Sequence, residues 1–68
     1  MSHMLRNMIE RAANAQVDEH NGDKPEGYSD KAIDRANRQA KKEGILLDWR
    51  VGLYPQYQKV GSDHWRAF

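Results

Sequence analysis

Ser62, Asp63 and His64 stand side by side near the end of the chain and are the three residue types of a hydrolytic triad. A triad works only when the histidine bridges hydroxyl and carboxylate in space, and adjacency in a turn does not supply that. Serine and aspartate are more economically turn residues here. Asp18, Glu19, His20 and Asp23 crowd a second short stretch and carry the ligand types of a metal site. Their spacing matches neither a calcium-binding loop nor a helical pair of zinc-binding histidines. A solvated loop is expected there, with no metal and no cofactor. The chain has no cysteine and no glycine-rich phosphate loop. With no nucleophile set beside a base, an enzyme is not expected.

The remaining chemistry is that of binding. Lys31, Arg35, Arg38 and Lys42 recur at helical spacing, so at about 100° per residue they form one cationic line. Such a line suits a phosphate backbone or an acidic protein surface. It is equally what a solvated helix face looks like, and Asp34 precedes Arg38 by four residues in the favourable acid-then-base order. A second patch lies toward the C-terminus, where Tyr54, Tyr57, Trp65 and Phe68 interleave with Arg50, Lys59 and Arg66. Aromatic rings among cations suit base stacking, and Tyr, Trp and Arg also dominate protein interfaces. Part of this set is needed for the core of so small a protein, Trp49, Trp65 and Tyr57 above all. Tyr54 and Phe68 are harder to bury. The candidate contact residues are therefore Lys31, Arg35, Arg38, Lys42, Arg50, Tyr54, Arg66 and Phe68.

Two helices and a sheet are predicted to position these groups. Over residues 4–16, Leu5, Met8, Ile9, Ala12 and Ala15 share a face, opposite Arg6, Asn7, Glu10, Arg11 and Asn14. The pattern fades at Val17, and Asn21-Gly22 is a stop. Met1-Ser2-His3 reads as a cloning remnant, although Ser2 is also the only good cap available to this helix. Residues 17–28, with two glycines and a proline, read as the connector. The second helix is expected over residues 30–43, with Ser29 as N-cap and Gly44 as the stop. Its apolar side, Ala32, Ile33, Ala36 and Ala40, is mostly alanine, so it should lie close to its partner. Tyr28 is expected to pack back against it.

After Gly44 the period changes to two. Ile45, Leu47, Trp49, Val51 and Leu53 alternate with polar or exposed positions, which predicts a strand with one buried face. Pro55 should mark a turn or an edge. A second strand over residues 56–60, a Gly61-Ser62-Asp63 turn and a third strand over residues 64–68 follow. A three-residue turn would set Lys59 opposite Trp65 and Tyr57 opposite Ala67. The expected fold is α+β, a single small domain of two N-terminal helices packed on a C-terminal antiparallel sheet of two or three strands. Its core is expected to comprise Leu5, Met8, Ile9, Ala12, Ile33, Ala36, Ala40, Ile45, Leu47, Trp49, Val51, Leu53 and Trp65.

Composition narrows function by exclusion. Eleven basic residues against ten acidic leave a net charge of +1, so whole-molecule charge does not advertise nucleic acid. No run is apolar enough to span a bilayer. The lack of cysteine fits a reducing, cytoplasmic setting. The leading expectation is a small regulatory binding protein that docks on a larger protein. A nucleic-acid-binding module using the cationic line is the alternative, and a self-associating homo-oligomeric scaffold is a third.

Overall fold

A computed structural model describes all 68 residues. It contains α1 (His3–His20), α2 (Tyr28–Lys42), β1 (Ile45–Asp48), a 3-10 turn (Trp49–Val51), β2 (Gln56–Lys59) and β3 (Arg66–Ala67). The strands form one antiparallel sheet in the order β1-β2-β3. The α+β architecture expected from the sequence is therefore present, helices first and three strands after them.

The helices form an antiparallel hairpin in which large apolar residues of α1 seat on the alanine face of α2. Leu5 and Ile9 of α1 meet Ala36 and Ala40 of α2 and Ile45 of β1, all five buried. Ala12, Ala13 and Ala15 are buried farther along α1. Met8, Leu47, Trp49, Tyr57 and Phe68 close around this nucleus, half-buried. The Trp49 indole N–H donates to Asn37 Oδ1 at 2.9 Å, pinning the end of β1 to α2.

Both helices depart from the predicted bounds, and for a shared reason. α1 runs through His20 rather than stopping at Gln16, so the connector shrinks to residues 21–27. Val17 is exposed as its position off the apolar face implied, and the last turn is polar. What holds that turn is Glu19, whose carboxylate accepts bonds from the Gly27 amide at 3.2 Å, the Ser29 amide at 2.8 Å and the Ser29 hydroxyl. α2 correspondingly starts at Tyr28, ahead of the predicted start. Ser29 is not its N-cap. Gly27 takes that place at φ 82°, with no side-chain cap of its own, and the carboxylate from α1 serves instead. An acidic group there also complements the positive end of the α2 dipole.

The opposite end of the hairpin repeats the device. Ser2 caps α1 by accepting from the Leu5 amide at 3.1 Å, and its own amide and hydroxyl donate to Glu43 at 2.8 and 2.6 Å. Gln39 Nε2 donates to the same carboxylate at 2.8 Å. Whatever its origin, Ser2 is integrated into the fold.

The sheet is shorter than the alternating pattern predicted. β1 ends at Asp48 because the Asp48 carboxylate accepts from the Arg50 amide at 3.0 Å and from Arg50 Nε at 3.1 Å. Those local bonds compete with the ladder and wind the chain into the 3-10 turn. Val51 and Leu53, expected in the core, are consequently 53% and 41% exposed. Pro55 is buried instead, immediately before β2. Gln16 Nε2 reaches the Leu53 carbonyl at 3.5 Å, placing this loop against α1.

The hairpin register is displaced by one residue, pairing Gln56 with Ala67 and Tyr57 with Arg66. The cause is the turn. The Ser62 amide donates to the Lys59 carbonyl at 2.9 Å, with Gly61 at φ 90° and no positive φ at Val60. That excludes the primed turns whose twist suits a hairpin, so the strands splay and pairing resumes only at β3. Because side chains alternate, a slip of one residue exchanges faces. Arg66 thus shares a face with Tyr57 while remaining exposed, Ala67 moves to the opposite face, and Trp65 is 45% exposed rather than core.

Candidate binding surfaces

The cationic line is real and free. Lys31, Arg35, Arg38 and Lys42 are all exposed, on the side of α2 nearly opposite the Ala36–Ala40 face that meets β1. At 1.5 Å per residue the line spans roughly 16 Å. The single ion pair of the molecule joins Arg50 to Asp48, so the Asp34–Arg38 pairing suggested by spacing does not form. All four cations of the line are left without a carboxylate partner.

The other candidate residues are divided among different tasks. Arg50 is held at 3.1 Å by Asp48, which keeps that carboxylate below its ordinary range and raises the guanidinium in turn, largely through their mutual side-chain hydrogen bond. Tyr54 and Phe68 stack on each other, with ring centroids 5.3 Å apart and planes 10° from parallel. The Arg6 guanidinium lies 5.5 Å from the Phe68 centroid, tying the end of the chain to α1. Arg66 is exposed on β3. These four lie in the C-terminal part of the chain, and none of them lines the depressions that border the α2 line.

What joins the line is a residue from the other helix. Between α1 and α2 lies a cavity of about 210 Å³ lined by Met8, Arg11, Tyr28, Lys31, Ala32 and Arg35. A second, shallower depression continues it along α1 past His3, Met4 and Asn7, sharing Met8 and Arg11. The result is a trough with an apolar floor and three cations on its walls. Tyr28, expected to pack back on the second helix from before its cap, is instead the first residue of α2 and is 43% exposed, with Lys24 Nζ 5.1 Å from its ring centroid. Arg11 reads from sequence as part of a solvated face, because nothing in α1 alone shows that α2 brings Lys31 and Arg35 beside it.

No family model, no curated protein and no solved structure matches this chain. The geometry alone therefore carries the functional argument.

Two side chains of the triad-like and metal-like stretches have structural roles. Ser62 Oγ accepts from the His64 backbone amide at 3.3 Å, which is a local turn bond. Glu19 is committed to the start of α2, and no three His, Asp or Glu side chains converge anywhere in the molecule. No helix is long and apolar enough to cross a membrane.

Proposed function

We propose that this protein is a small non-enzymatic binding protein, acting in the cytoplasm by docking the outer face of its helical hairpin onto a larger protein partner and regulating it. The observation that carries this reading is the line Lys31, Arg35, Arg38 and Lys42, exposed and unpaired on a rigid helix. Cations that neither brace the fold nor meet their own carboxylates are available to meet those of another molecule. The apolar trough beside them supports a protein surface over a phosphate backbone, since interfaces place a desolvated core inside a charged rim.

A nucleic-acid module remains the alternative, and two features weaken it. Tyr54 and Phe68 cover each other's faces, and neither lines the depressions that border the cationic line. Stacking platforms work when rings and cations track one strand together. The test is affinity capture from a nuclease-treated lysate of the native host, using the wild-type chain beside Arg35→Ala/Arg38→Ala. Proteins retained by the first and lost from the second are expected. Identical recovery on both, or recovery that nuclease abolishes, overturns the proposal.

A further inference from the structure

We propose that the trough between α1 and α2 receives a short acidic peptide segment bearing one large apolar side chain. That side chain seats on Met8, Tyr28 and Ala32, while neighbouring carboxylates meet Arg11, Lys31 and Arg35. The inference rests on the protein-docking role above and specifies the chemistry of the partner.

Three observations select this occupant. First, the charge of the lining has one sign: the two depressions, which share Met8 and Arg11, are lined by Arg11, Lys31 and Arg35 and by no carboxylate. An acidic ligand is the electrostatic complement, and a basic one is repelled. Second, the floor is apolar and adaptable. Methionine fits irregular apolar shapes because it is unbranched and polarizable, and Met8 lies at the junction of both depressions. A cavity of about 210 Å³ holds one large side chain rather than a whole cofactor.

Third, the usual means of gripping a free phosphate is already occupied. The amides of Gly27 and Ser29 at the start of α2 donate to Glu19, so they offer nothing to an added anion. The walls present side-chain cations alone, spread along the trough. Spread charge suits carboxylates distributed along a peptide. Lys24 lies over one face of the Tyr28 ring, which leaves a nucleobase at most the other face for stacking.

The probe is a phage-displayed random-peptide library selected against the intact protein. Enrichment of sequences with two or more Asp or Glu flanking a single Phe, Leu or Trp is expected. A synthetic peptide from that pool should bind at least about tenfold more weakly to Arg11→Glu/Arg35→Glu, whose fold is checked by circular dichroism. Replacing the peptide's apolar residue by alanine should weaken binding to a comparable degree, and the methyl signals of Met8 and Ala32 should shift in NMR spectra when the parent peptide is added. Failure to enrich that pattern overturns the inference, as do equal affinities for wild type and variant, or shifts confined to Leu46 and Trp65. The two proposals fail separately. Host proteins still captured through Arg35 and Arg38 while Arg11→Glu has no effect would leave the docking role and remove the trough. Trough-dependent peptides without any captured protein would do the reverse.

Discussion

Two serine–glutamate pairs hold the ends of the helical hairpin, and each carries an acid-sensitive contribution to stability. Glu19 is held below the ordinary glutamate value of 4.5, first by the Ser29 hydroxyl and then by the Ser29 and Gly27 amides. Glu43 is lowered from the same value by the Ser2 hydroxyl, the Gln39 side chain and the Ser2 amide. Well above 4.5 both groups are charged whether the chain is folded or not, and their contribution is complete. Below it the unfolded chain takes up protons first, so stability falls until the folded carboxylates are protonated as well. Glu19→Gln/Glu43→Gln should therefore be less stable than wild type at neutral pH and lose less stability on acidification. Urea melts followed by circular dichroism across the acid range test this, and parallel pH profiles for the two proteins would refute it. Neither pair was legible as such in the sequence. Ser29 reads as a cap for its own helix, and a carboxylate ten residues earlier becomes its partner only once α1 extends to His20.

The elements themselves were legible wherever periodicity reflects burial. Leu5, Ile9, Ala12, Ala36 and Ala40 repeat at helical spacing and are buried as read, because the two helices need one apolar face each. Ile9 illustrates how little redundancy this leaves, since nine residues in all are buried and only Leu5, Ile9 and Pro55 are large and fully enclosed. Ile9→Ala should cost about 2–5 kcal/mol, from lost transfer energy and the cavity left behind. A domain this size holds only about 3–5 kcal/mol in total, so the variant is expected to be largely unfolded at room temperature by circular dichroism and amide exchange. A cooperative melt close to that of wild type would show that the core lies elsewhere. Pattern misled where a local bond competed with it. Val51 and Leu53 continue the alternation of β1 on paper, yet Asp48 turns the chain onto Arg50 before either residue reaches the sheet. Trp65 was displaced by the turn at Gly61, whose geometry sets the register and cannot be read from the apolar pattern. The candidate site was half legible for a similar reason. A cationic line within one helix shows in its spacing, whereas a trough made by two helices depends on how they dock.

At the scale of the whole molecule, a net charge of +1 coexists with a line of four unpaired cations along α2 on a body of 38 × 20 × 17 Å. At physiological ionic strength charges are screened beyond about 8 Å, so a partner senses the α2 line at short range rather than the overall charge. This sets a limit on how the protein should treat DNA. If Lys31, Arg35, Arg38 and Lys42 all met phosphates, the slope of log affinity against log salt would be about −3.6. Four contacts with no base readout give only weak, non-specific association, with a Kd on the order of 10⁻⁴ M or weaker at physiological salt. Titration of labelled duplex and single-stranded DNA should accordingly show binding at low salt that disappears as salt is raised, with no sequence preference. A slope much steeper than −3.6 would mean that cations outside the line, such as Arg6, Arg11 and Lys41, also engage phosphate. Tight binding that survives physiological salt would go further, because it requires base contacts that the α2 line does not provide and would make nucleic acid the partner. The acidic peptide behaves differently in the same titration. Its apolar anchor contributes a part of the affinity that salt does not screen, so raising salt should weaken it without abolishing it. The two salt curves measured side by side separate a surface built for phosphate from one built for an acidic protein segment.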